Sequence, residues 1–158
     1  MFRFSVSALE KAPVCRKGTT DAAFLDLDPQ DNFAPAGDVQ FDLTATIVSG
    51  GVLVSGSCGC LMHTSCGKCL KDFDFMLEAP ELNIFFELEE NQEELDATEE
   101  LRAELLLELP MNPLCDPECL GLCPECGCDR NETECSCSAS TAAEKVSPWS
   151  ALDDLKLD

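Results

Sequence analysis

The chain has 158 residues, 45% of them apolar, which is the length of one domain and enough for a sizeable core. Its 31 acidic and 10 basic residues leave a formal net charge of −21, so a broad phosphate-binding face is disfavoured; such a surface suits basic protein partners or serves solubility alone, and charge does not choose between them. No stretch approaches the run of about 20 apolar residues that a bilayer span requires, and Glu10 and Lys11 fall where an export signal would need its apolar core. The expectation is a soluble, cytoplasmic protein without a membrane contact, whose thiols stay reduced.

Phe2, Phe4 and Val6 alternate with Arg3, Ser5 and Ser7, the pattern of a short strand. Residues 12–37 are rich in Pro, Asp and Gly and read mostly as ordered loop, with one helical turn near Ala22 to Leu27. The clearest strand runs from Val39 to Ile47, where apolar and polar residues alternate strictly. Ser49-Gly50-Gly51 then supplies a tight hairpin turn, and the β pattern resumes at Val52, the returning strand either extending through the following glycines or kinking there, with a bulge as one form of the kink. Phe73, Phe75 and Leu77 mark another strand. Ala79-Pro80-Glu81 is expected to break it, and Leu82, Ile84, Phe86 and Leu88 begin the next.

The segment from Glu87 to Glu100 has eight acidic residues among fourteen and reads as a solvated link. Thr98 is placed to cap a helix that presents Leu101, Leu105, Leu106 and Leu109 to the core and ends before Pro110. The fold class is therefore α+β: an antiparallel sheet of four to five strands, one packed helix and a C-terminal Cys-rich module. Three regions follow, with a β-rich body over 1–110, a metal-binding module over 111–137, and a linker with a short terminal helix over 138–158.

Seven of the twelve cysteines fall between Leu114 and Cys137. Cys123-Pro124-Glu125-Cys126-Gly127 has the form of a zinc knuckle, and Cys135 and Cys137 bring the local total to four thiolates, enough to close a tetrahedral site. Cys66-Gly67-Lys68-Cys69 is a second two-residue-spaced pair, placed between strands and lacking a partner pair nearby. A disulfide cluster is the alternative, and a reducing compartment argues against it. His63 is the sole histidine, with no nucleophile, paired carboxylates or phosphate loop around it in the pattern, so no enzyme is expected.

The residues CGKCL at 66–70, ELLLELPMNPLC at 104–115, CLGLCPECG at 119–127 and CSC at 135–137 resemble the YceD family of bacterial proteins, as does the tail PWSALDDLK at 148–156. The resemblance covers the chain from about Asp38 onward. It implies a role in accumulation of large-subunit ribosomal RNA and in ribosome assembly, with ribosomal proteins or a pre-ribosomal particle as partners and no small-molecule substrate. It further implies that Cys66 and Cys69 lie beside Cys115 and Cys119. The preferred assignment puts one zinc on these four and another on Cys123, Cys126, Cys135 and Cys137. A rival set closes a site from Cys115, Cys119, Cys123 and Cys126 alone, and both assignments stay open at this point. Two departures stand out: Gly67-Lys68 where the family often carries Arg, and Cys128-Asp129-Arg130-Asn131, which adds an extra thiol after the knuckle.

Three function classes follow. The first is a non-catalytic assembly factor, with a local RNA contact near Lys68 or Arg130 as an open possibility. The second is a thiol-rich metal-buffering or redox-responsive protein, suggested by Cys15, Cys58, Cys60 and Cys128, which neither preferred site uses. The third is a dithiol enzyme using CGKC, disfavoured because such a pair belongs at a helix N-terminus and this one lies between strands. Trp149, Leu152 and Leu155, spaced for one helical face, suit docking on the body or on a partner.

Overall fold

The computed structural model describes residues 1–139 except 29, 31 and 90, so the element expected around Trp149, Leu152 and Leu155 lies outside the described residues. The elements in chain order are β1 (Arg3–Ser5), α1 (Val6–Leu9), β2 (Val14–Thr20), a 3-10 turn (Ala22–Leu25), β3 (Phe33–Pro35), β4 (Val39–Val48), β5 (Gly51–Ser65), β6 (Asp72–Glu87), β7 (Glu94–Asp96) and α2 (Thr98–Leu107). The main sheet has five strands. The antiparallel run β2-β4-β5 is extended by β3, which pairs with the far end of β5, and by β6, which lies along the other edge of β5. The short β1 pairs with β7 in a separate two-stranded ribbon.

Alternation along β4 and β5 buries Val39, Leu43, Ala45, Val52, Val54 and Met62 on one sheet face. Against them pack Phe2 and Phe4 from the N-terminus and Leu101 and Leu105 from α2. Each such side chain contributes about 1.5–3 kcal/mol when fully buried. The helix thus seats its leucine stripe on its own sheet, as its spacing predicts. Its capping differs from the expectation: Thr98 is the first helical residue, and the Asp96 carboxylate two residues earlier accepts the Thr98 N–H at 3.0 Å. Arg3 Nε donates to the same carboxylate at 2.9 Å, which ties β1 to the start of α2.

Two strand readings are corrected. Most of 12–37 is not loop, because 14–20 pairs with β4 across seven residues. As an edge strand it leaves Cys15, Arg16 and Lys17 exposed, so no apolar alternation announces it. Nor does Pro80 break the chain into two strands. β6 runs through it for sixteen residues, with a bulge opposite Ser57 where the pairing passes from Cys58↔Ala79 to Gly56↔Leu82. Pro80 sits at that bulge on an edge strand, where its missing N–H costs no ladder bond. Gly56 allows the bulge: its φ is +145°, and a Cβ there would lie 2.0 Å from the Asp42 carbonyl oxygen. The acidic link is also partly ordered, since its residues 94–96 form β7.

Candidate metal centre

β5 and β6 are two strands of one long hairpin, and residues 66–71 are its tip. The tip closes through two backbone bonds, Cys66 N–H to the Lys71 carbonyl at 2.8 Å and Leu70 N–H to the Cys66 carbonyl at 2.9 Å. After α2 the chain passes Asn112 and Pro113 across this tip, where Gly67 N–H donates to the Pro113 carbonyl at 2.8 Å. A Cβ on Gly67 would fall 2.0 Å from Asn112 Oδ1, so a larger residue there would displace the Asn112 side chain. This docking carries Cys115 and Cys119 to the hairpin pair.

The Sγ atoms of Cys66, Cys69, Cys115 and Cys119 all lie within 4.8 Å of one another. Cys66 and Cys119 are 3.8 Å apart, and Cys69 and Cys115 are 3.6 Å apart. A disulfide would need about 2.05 Å. The edge of a tetrahedron built on Zn–S bonds of about 2.3 Å is about 3.8 Å. The spacing is therefore that of a closed four-thiolate site, and Cys66, Cys69 and Cys119 are buried within it.

Its sulfurs are electrostatically unequal. Burial pushes the Cys66 thiol up, but the backbone N–H groups of Cys115, Cys69 and Lys68 more than offset this and lower it to about 6. Cys115 is pushed up to about 12, first by its contact with the Cys69 sulfur and then by burial. The Lys71 N–H draws Cys69 down, yet burial and the sulfurs of Cys66 and Cys119 leave it raised. Four sulfurs at this separation cannot all ionise without a cation between them.

The second group, Cys123, Cys126, Cys135 and Cys137, also has its sulfurs within 4.8 Å of one another. The knuckle folds through Gly127 N–H to the Cys123 carbonyl and Cys123 N–H to the Cys128 carbonyl, both at 2.8 Å. Gly127 takes the left-handed φ of +73° that the turn requires. The N–H groups of Cys126 and Glu125 lower Cys123 to about 6, and the Cys126 sulfur, followed by burial, pushes Cys137 up to about 12. The four thiols of the purely local alternative, Cys115, Cys119, Cys123 and Cys126, are divided between these two groups.

Residues that the sequence reading passed over join the groups. Lys71, on the hairpin tip, bridges Asp129 at 2.9 Å and Glu132 at 2.6 Å in the loop between Cys128 and Cys135. Asn131 reaches from that loop to donate to Cys119 Sγ at 3.4 Å and to accept the Leu120 N–H at 2.8 Å. A side-chain N–H on a ligand sulfur is the kind of partner that orients metal-binding thiolates. The signal available for Asn131 was the Asp129-x-Asn131 turn, in which Asp129 accepts the Asn131 N–H at 2.8 Å. Lys68 Nζ donates to the Cys119 carbonyl at 3.1 Å, so this cation is committed to the fold. Arg130 is exposed.

The remaining thiols divide. Cys58 lies in the main core, where burial pushes it up to about 11, and Cys60 is buried beside it. Cys15 is exposed on β2. Cys128 neighbours the second group and is raised to about 11 by Cys126 first and then by burial. His63 pairs with Asp74 across the hairpin at 2.6 Å, an exposed cross-strand pair with no nucleophile in it.

A family model described as "Large ribosomal RNA subunit accumulation protein YceD" matches residues 54–156, more than half of the chain. The chain belongs to the YceD family. The match spans both cysteine groups and the hairpin and helix that assemble them. An uncharacterized protein of Mycobacterium tuberculosis is 32% identical over 103 residues, covering 56% of this chain and 50% of that protein, and an uncharacterized protein of Mycobacterium bovis matches to the same extent. This YceD chain thus spans about half the length of the curated relatives it matches. No solved structure matches it. Among the described residues, no helix is long and apolar enough to cross a membrane.

Proposed function

We propose that this chain is a non-catalytic, cytoplasmic factor in accumulation of large-subunit ribosomal RNA and assembly of that subunit, and that it holds two structural zinc ions. Cys66, Cys69, Cys115 and Cys119 would hold one, and Cys123, Cys126, Cys135 and Cys137 the other. The convergence of eight thiols into two groups of tetrahedral dimensions, in a chain of the YceD family, carries this reading. Zinc supplies a charge that lets four thiolates share one small volume. With four protein sulfurs around it, such an ion offers no open position to water or substrate, so its role is to fold the chain. The segment it folds needs that help. Between Cys115 and Cys137 the apolar side chains other than cysteine are Pro117, Leu120, Leu122 and Pro124, too few for a core.

The metal-buffering alternative is weaker because two of the spare thiols, Cys58 and Cys60, are buried in the apolar core and inaccessible to metal. Dithiol catalysis by Cys66 and Cys69 has no support, since the pair sits on a β-hairpin tip with its sulfurs facing two further thiols. The test is depletion of the protein followed by sucrose-gradient profiling of ribosomes and elemental analysis of the purified chain. The expected result is a deficit of large subunits and two zinc ions per chain, falling to one in Cys66→Ser and one in Cys123→Ser. A normal subunit profile on depletion would overturn the assembly role, and zinc-free protein purified under reducing conditions would overturn the metal role.

A further inference from the structure

Among the described residues, the four most exposed large apolar side chains are Met111, 99% exposed, Leu107, 77%, Leu70, 66%, and Leu120, 58%. All four belong to the first cysteine group or its approach. Leu107 ends α2, Met111 precedes the Asn112-Pro113 step docked on Gly67, Leu70 lies in the hairpin tip, and Leu120 follows Cys119. Isolated exposed leucines are ordinary, but a set of this size around one structural feature is not. Leu70 is the most informative. It holds a left-handed φ of +61°, where glycine or asparagine would be unstrained, and its side chain buries little in return.

Charge says what covers this rim. Glu100 and Glu104 on α2 and Glu108 at its C-cap form an exposed row, one residue per turn, beside the row that carries Ala103 and Leu107. The last turn of α2 contains no basic residue, so Glu104 and Glu108 face the negative end of the helix dipole uncompensated. From residue 98 to 125 there are seven acidic residues and one basic one, Arg102. Arg102 turns inward to the Leu25 carbonyl at 2.8 Å. Lys68 and Lys71 are likewise spent on Cys119 and on Asp129 and Glu132. The chain's own residues 140–158 carry four acidic and two basic side chains, the wrong sign to settle there.

We propose that this apolar rim and the acidic row of α2 form one docking surface for a basic, amphipathic segment of a protein partner. The segment would lay apolar side chains over Leu107, Met111, Leu70 and Leu120, and its Lys or Arg side chains would meet Glu100, Glu104 and Glu108. Such a surface combines the two features that give affinity and steering, an apolar centre and a charged flank. The inference deepens the assembly reading and rests on it only for placing the partner among the basic proteins of the large subunit.

The test uses the full-length, metal-loaded protein and three synthetic peptides: a Leu/Lys helix of about 18 residues with period 3.6, its scrambled isomer, and a Leu/Glu helix of the same pattern. Fluorescence anisotropy on the labelled peptides is expected to show binding of the Leu/Lys helix alone. Leu107→Ser with Met111→Ser should weaken it tenfold or more, in keeping with the loss of two buried apolar side chains. Glu104→Gln with Glu108→Gln should weaken it less, and the difference should vanish at high salt. Met76→Ser with Phe85→Ser, which removes two half-exposed apolar groups on β6, should leave it unchanged. All six residues are exposed, so folding is preserved. Equal binding of the scrambled peptide, or no effect of the Leu107 and Met111 changes, overturns the surface. A tenfold gain on deleting residues 140–158 overturns the basic partner as occupant and assigns the surface to the tail. None of these readings depends on the subunit profile, so failure of the assembly role and failure of this surface are separately visible.

Discussion

Lowering the pH of the metal-loaded protein should empty both sites. Zinc takes a cysteine only as thiolate, so each sulfur that is protonated in the free site releases a proton on binding and makes affinity rise tenfold per pH unit. In the hairpin site, Cys69 is raised and Cys115 is pushed up to about 12, so two protons at least must leave. In the knuckle site, Cys137 is the sulfur with that behaviour, at about 12. Cys66 and Cys123, each lowered to about 6, are largely ionised above that pH and add little to the difference. Between pH 8 and pH 7 the hairpin site should therefore lose at least roughly hundredfold in affinity and the knuckle site at least roughly tenfold. The assay is competition with a chromogenic chelator in steps from pH 8 to 6.5, using Cys66→Ser to isolate the knuckle site and Cys123→Ser to isolate the hairpin site. A loss below about a hundredfold per pH unit at the hairpin site, or below about tenfold at the knuckle, would refute the assignment of these sulfurs. A flat profile would show that the ligands are not thiols.

Two further outcomes concern the scaffold. Gly56→Ala should destabilise the protein by more than about 2 kcal/mol, because the left-handed backbone strains any side chain and the new Cβ would strike the Asp42 carbonyl; urea unfolding should show a lower midpoint with an unchanged slope. Asp96 is held down at about 2 by its bond from Thr98, with Arg3 adding to the effect against a burial cost. Its folded value lies below its ordinary one of 3.8, so the stability it supplies is complete above pH 4 and is lost as pH falls toward 2. Because the carboxylate is 44% exposed, that amount is discounted to about 1 kcal/mol. Asp96→Asn should lose it at pH 7 and show a flatter acid limb in thermal melts; an unchanged acid limb would count against the cap.

What local pattern can encode, this chain wrote plainly. Strict alternation over 39–47 encodes β4 because one face of a half-buried strand must be apolar. Ser49-Gly50-Gly51 encodes the hairpin that follows, and Gly50 takes the left-handed φ of +93° the turn demands. The leucine spacing encodes the face that α2 buries, and the paired cysteines encode the chemistry. Three things were left to tertiary structure. Edge strand β2 has no buried face to alternate, so only its pairing with β4 reveals it. Pro80 reads as a break until pairing with β5 beside Gly56 places it in a bulge of β6. Cys66 finds Cys119 across 53 residues, and Cys69 finds Cys115 across 46, because the segment after α2 crosses the hairpin tip and its Pro113 carbonyl accepts the Gly67 N–H. Spacing shows which thiols are adjacent along the chain, and packing alone decides which of them meet in space.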